Sequence, residues 1–134
     1  MKKFENYRSN LAVLSKAEQE DLTNSFIISG IIDKFSLQFE LARKVLKELL
    51  RYEGSSAAAS GSPREILKAA YGVFEFLEES VWLSMLRDRN DMAHIYDGAA
   101  AERMVGRILQ DYIPAFLSLQ AAMETRYGTI LNAL

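Results

Sequence analysis

An all-α helical bundle, with four main helices and a short one, is the fold this sequence predicts. Three observations lead there. Only two prolines interrupt the 134 residues, long β-branched runs are few, and apolar residues recur at spacings of three and four, the period of one helix face. At this length the chain forms a single domain over residues 1–134 and buries one core without cross-links. With 49% hydrophobic and 25% charged residues it has the balance of a globular protein.

Charge and composition exclude several classes. The apolar runs are far too short to cross a bilayer, so no membrane association is expected. Met1-Lys2-Lys3 is followed by Phe4-Glu5-Asn6-Tyr7, not by the apolar core of a secretory signal, and a cytoplasmic location is the expectation. The absence of cysteine excludes disulfides, thiolate zinc sites and cysteine nucleophiles. A formal charge of −2 excludes a globally basic nucleic-acid binder, leaving room only for a local patch.

The spacing predicts five helices. The first runs from about Phe4 to Ala17, with Phe4, Tyr7, Leu11 and Leu14 on one seam. After the polar connection Glu18-Gln19-Glu20-Asp21, the second and longest runs from about Asn24 to Tyr52. Its stripe of Ile28, Ile31, Phe35, Phe39, Ala42, Leu46 and Leu49 is widened by Ile32, Leu41 and Val45, so it needs more than one neighbour. Gly30 is a point where this helix could bend or admit another backbone. Arg43, Lys44, Lys47 and Arg51 suit the negative end of the helix dipole, with a phosphate-contacting stripe as the alternative.

Gly54 to Gly61 reads as a small-residue connection. Ser62-Pro63-Arg64-Glu65 supplies an N-cap, a first-turn proline and the acidic member of a capping box. The third helix therefore begins here, carries Ile66, Leu67, Ala70 and Tyr71, and should end near Gly72 as C-cap. Glu78-Glu79-Ser80 opens the fourth helix. Val81, Trp82, Met85, Leu86 and Arg89 share its inner face, and an arginine on an apolar seam needs an anionic partner. Asp97 caps a fifth helix from about Ala99, buried through Ala101, Val105, Ile108, Tyr112, Phe116, Leu119 and Met123, with a kink at Pro114.

The chemistry-bearing stretch is Arg89-Asn90-Asp91-Met92-Ala93-His94-Ile95-Tyr96, which holds the only histidine. If the fourth helix persists to Tyr96, Asn90 and His94 are adjacent at a spacing of four, while Arg89, Ala93 and Tyr96 line the next strip. A cation, an amide, an imidazole and a phenol on one surface suit a phosphodiester. Arg89 would bind the phosphate through its planar fork and His94 would transfer the proton, with neither metal nor cofactor required. The plainer role has the stronger claim on spacing alone: His94 as a dipole partner or cap, Arg89 as a bridge to Asp91, Glu102 or another carboxylate. Di-iron chemistry is excluded because only Asp91-x-x-His94 approaches the required paired motif. Nucleophile elbows and glycine-rich phosphate loops are absent too.

Arg89-Asn90-x-x-x-His94-x-Tyr96-Asp97 resembles the Arg-x4-His signature of the HEPN superfamily, in its form with a following tyrosine. Two further stretches are similar to its nucleotidyltransferase substrate-binding proteins: Gly30-Ile31-Ile32-Asp33-Lys34-Phe35 with Phe39-Glu40-Leu41-Ala42-Arg43-Lys44, and Ser62-Pro63-Arg64-Glu65 with Trp82, Met85 and Leu86. The resemblance covers Gly30 to Asp97. It implies an up-and-down bundle, commonly a homodimer, paired with a separately encoded minimal nucleotidyltransferase in a toxin–antitoxin-like module. In the related toxins the arginine and histidine cleave RNA without metal, and the partner transfers AMP to the tyrosine. Those roles would fall on Arg89, His94 and Tyr96, with Asn90 beside them as a binding residue for nucleotide or RNA. Two positions depart from the family pattern. Met92-Ala93 stands where small polar residues are usual, and Arg43 stands where tryptophan is usual, which reads as a change in packing.

Overall fold

The computed structural model describes residues 1–56, 61–92 and 97–132. Its elements are α1 (Lys2–Leu14), α2 (Ser25–Tyr52), α3 (Pro63–Val73), α4 (Glu79–Asn90), α5 (Gly98–Arg107) and α6 (Ile113–Tyr127). A π turn, Ile108–Tyr112, joins α5 to α6, and 3-10 turns occupy Ala17–Gln19 and Gly128–Asn132. No strand occurs among the described residues, and the helices pack together as the predicted all-α bundle. Nor is any described helix long and apolar enough to cross a membrane.

Side-chain oxygens start three of the helices. Asn24 Oδ1 accepts from the backbone N–H groups of Phe26 and Ile27 at 2.8 and 3.3 Å, and Asp97 Oδ1 accepts from Ala100 at 2.7 Å. Ser62 Oγ accepts from the Glu65 N–H at 3.3 Å, with Pro63 in the first turn. Each bond satisfies an N–H that the helix itself leaves unpaired.

The long helix α2 is the spine. Ile31, Ile32, Phe35, Phe39, Leu41, Ala42, Val45, Leu46, Leu49 and Leu50 are all buried on it. One side of α2 takes α1, which runs antiparallel: Lys3 Nζ donates to Glu48 at 2.7 Å, and Asn10 meets Gln38 two turns further down. Phe4, Tyr7, Leu11 and Leu14 are buried in this contact, as their spacing predicts. Within it lies a closed polar set. Asn10 Nδ2 donates to Gln38 Oε1 at 2.8 Å and to the Lys34 carbonyl at 3.1 Å, and Gln38 Nε2 donates to the Tyr7 carbonyl at 3.1 Å. The Tyr7 hydroxyl donates to the Phe116 carbonyl at 2.6 Å, tying α1 to α6. Burial of that phenol raises its pKa well above the usual value.

Along the other side of α2, α5 and α6 run parallel to it. Phe35 stacks on Tyr112 with ring centres 5.1 Å apart, and Tyr127 donates to Glu53 at 2.7 Å near its far end. Against them α4 runs antiparallel, with Trp82 edge-on to Phe116 at 5.6 Å and Ser84 bonded to Tyr112 at 2.7 Å. The short α3 closes over α2 and α4 with Ile66, Leu67 and Ala70.

Three boundaries differ from the sequence expectation. α1 stops at Leu14, where Ser15 turns its hydroxyl back to the Ala12 carbonyl at 3.1 Å. α3 runs through Gly72 to Val73 and ends on Phe74 in an extended conformation, so Gly72 is not a left-handed cap. The interruption of the last helical run precedes Pro114. A proline ring clashes with the carbonyl four residues back, here Gln110, and the π turn opens the backbone over that carbonyl.

No other backbone approaches closely at Gly30. The glycine sits within the unbroken α2, and a Cβ added there meets no atom within 4 Å. Gly30→Ala should therefore stabilise the fold by about 0.5–1 kcal/mol, through the lower backbone entropy of the unfolded chain. A shift of the urea midpoint to higher concentration at constant slope checks this.

Candidate functional site

The described part of the Arg89–Tyr96 stretch begins on the last turn of α4. That helix stops at Asn90, and the Asp91 N–H closes it on the Arg87 carbonyl at 2.9 Å. The adjacency of Asn90 and His94 is conditional on the fourth helix persisting to Tyr96. The α-helix does not continue through Asp91, where the backbone leaves helical geometry at ψ of 1°. His94 and Tyr96 themselves lie outside the described residues, as does Ala93. Asn90 is exposed at the helix end.

Arg89 meets the need set by its place on the apolar seam through a residue the sequence did not single out. Its Nη2 donates to Glu40 Oε2 at 3.3 Å, joining α4 to α2 across a separation of 49 residues. Arg43, one helical turn beyond Glu40, donates to the same carboxylate from Nε at 3.1 and 3.2 Å and also from Nη2. Two guanidinium groups thus converge on one carboxylate. All three side chains are largely withdrawn from water, at 31%, 18% and 26% exposure for Arg89, Arg43 and Glu40. The Arg43 hydrogen bonds, more than any other influence, hold the Glu40 carboxyl below the usual carboxylate range. Arg43, which stands where tryptophan is usual, is thus a member of this ion pair.

Asp88, the residue before Arg89, turns to the opposite flank. Arg107 grips it with two bonds, Nε to Oδ2 at 2.7 Å and Nη2 to Oδ1 at 3.0 Å, and the Tyr112 hydroxyl also donates to Oδ2. Because that phenol gives its proton to Asp88, the Ser84 hydroxyl at 2.7 Å donates to Tyr112. Burial first, and then the bond to Asp88, push the Tyr112 pKa up to about 12. Sequence reading missed this set because its members lie on α4, α5 and the π turn. The available signals were Asp88 beside Arg89 and Tyr112 two residues before Pro114.

Beyond Asn90 a groove of about 480 Å³ separates the start of α2 from the start of α5. Ile28, Ile32, Met92 and Ala101 form its apolar lining, and Asp33, Asp97 and Glu102 bring carboxylates to it. Phe26, at the first turn of α2, is 88% exposed. No group of metal-ligating side chains is assembled among the described residues.

The raised Tyr112 pKa sets a pH expectation. The folded state holds this proton more tightly than the unfolded chain, whose ordinary value is 10.0. Its stabilisation is whole below that pH and lost as pH rises through about 12. Tyr112→Phe should lessen the alkaline loss of stability in denaturation curves across that window, while the remaining loss comes from Tyr7, Tyr71 and Tyr127, whose values are raised as well.

Comparison with known proteins gives one family. No curated protein matches the chain. The family described as nucleotidyltransferase substrate binding protein like matches residues 2–125, which takes in every helix from the start of α1 to the last turn of α6. With the helical bundle and the Arg89 stretch already in place, that match establishes that the chain belongs to the nucleotidyltransferase substrate binding protein like family.

Proposed function

We propose that this chain is the substrate-binding subunit of a two-component system: a cytoplasmic, single-domain helical homodimer that pairs with a separately encoded minimal nucleotidyltransferase. The pair would form a toxin–antitoxin-like module, with nucleotide or RNA bound at Arg89, Asn90, His94 and Tyr96. Family membership supports the pairing. The observation that carries the binding role is the state of Arg89, whose guanidinium is held by Glu40 at the end of α4. An arginine kept in place by a carboxylate is oriented for a phosphate, yet neutralised until one arrives.

The surroundings favour a binding subunit over a free-standing metal-independent ribonuclease built on Arg89 and His94. Asp91, Asp97 and Glu102 follow Arg89 within little more than a dozen residues, and a polyanion crossing this end of the bundle would meet them. A protein partner suits the same end better. Phe26 projects into solvent from the first turn of α2, at the end of the bundle that carries the groove and its carboxylates, and an exposed aromatic ring is a common anchor for a partner.

Co-expression with a minimal nucleotidyltransferase and affinity purification of the tagged chain tests the pairing. The partner should be retained, and Phe26→Asp should reduce retention at least tenfold without lowering the melting temperature, because the ring is not part of the core. A chain that stays monomeric and retains no partner would refute the reading. RNA cleavage in chelator, lost in both Arg89→Ala and His94→Ala at matched helicity, would establish the ribonuclease in its place.

A further inference from the structure

Arg43 and Arg89 approach the Glu40 carboxylate from two different helices, and their three charges leave a net single positive charge. In form this is an anion site with its anion supplied from within. The guanidinium forks come from two helices, α4 and α2, and meet at a carboxylate that α2 itself supplies. Glu40 is 26% exposed, so its carboxylate has a path to water when displaced. We propose that Arg43 and Arg89 form a two-arginine site for the phosphate of a mononucleotide, in which Glu40 is an internal competitor that occupies the site until the phosphate replaces it.

The chemistry favours exchange in that direction. A carboxylate offers one negative charge and two acceptor oxygens, while a terminal phosphate at neutral pH carries between one and two charges on three oxygens. Two forked donors are better matched by the second. The competing carboxylate is tethered one turn from Arg43 and has a high effective concentration, so the site is closed to weak anions and to chance phosphates. A nucleotide gains entry only with added contacts, such as those of a base or ribose.

The same geometry selects against a longer nucleic acid. Asp91 follows directly at the end of α4, so a strand that continued past that end would bring its next phosphate toward a carboxylate, a repulsion that a mononucleotide avoids. This inference rests on the proposed nucleotide-binding role and adds to it the position of the phosphate, a second arginine and the group that regulates access.

Titration calorimetry of the purified chain with AMP, adenosine and a short single-stranded RNA tests the inference. Glu40→Gln keeps the shape of the side chain and removes its charge, and it should tighten AMP binding about tenfold. Arg43→Ala in the Glu40→Gln background should abolish that gain, and adenosine should show no dependence on either position. Arg43→Lys in the otherwise unchanged chain retains Glu40 and a positive charge but loses the fork, so it should weaken AMP binding even if Glu40→Gln proves poorly folded. Equal AMP affinities across the series, at matched melting temperatures, would overturn the two-arginine site. A larger gain for the RNA than for AMP in Glu40→Gln would overturn its preference for a mononucleotide. Partner retention, scored on the same variants by co-purification, reports separately on the subunit reading.

Discussion

Over seven turns, α2 presents apolar side chains across a face too wide for any single helix to cover. Fully burying each Leu, Ile, Val or Phe is worth roughly 1.5–3 kcal/mol, so water is a poor neighbour for that face and the other helices are drawn around it. α1 covers one flank, α5 and α6 the other, and α3 and α4 close the front. The polar set of Asn10, Gln38 and Tyr7 then selects one register of α1 on α2. A slip of one turn would leave a buried amide without its partner, at a cost of about 1–3 kcal/mol.

Sequence patterns carried the spine and its caps because both are local. The buried face of α2, the caps at Asn24, Ser62 and Asp97, and the inner residues of the last helical run all follow from spacing or from a single side chain near its own backbone. Pro114 announced an irregularity but not its form. A kink and a π turn remove the same clash, and the choice depends on what the opened turn can bury. Here it carries Tyr112 toward Phe35 and Asp88. Gly72 misled because a glycine near a helix end resembles a cap, while the actual stop is set by Phe74, which is fully buried.

At the candidate site the division falls in the same place. That Arg89 required an anion was legible, since its position on an apolar seam made an unpaired guanidinium costly. Which anion was not, because Glu40 lies 49 residues away and meets Arg89 only once α4 has packed on α2. The local pair of Glu40 with Arg43, three residues apart, was visible as a spacing but carried no meaning until the second arginine was placed.

Asp88 and Arg89 are neighbours in sequence and therefore about 100° apart around α4. That angle sends the acid to the π turn and the base to α2, so the last turn of α4 is held on both flanks by ion pairs of opposite sense. The two clamps differ in what can loosen them. Asp88 is 14% exposed and receives bonds from both Arg107 and Tyr112, so removing its charge would leave the buried Tyr112 hydroxyl without its acceptor. Glu40 is more accessible, and an incoming anion can take over its donors without orphaning them. The Asp88 clamp therefore fixes where the Arg89 stretch begins, and the Glu40 clamp is the one that the proposed phosphate would replace.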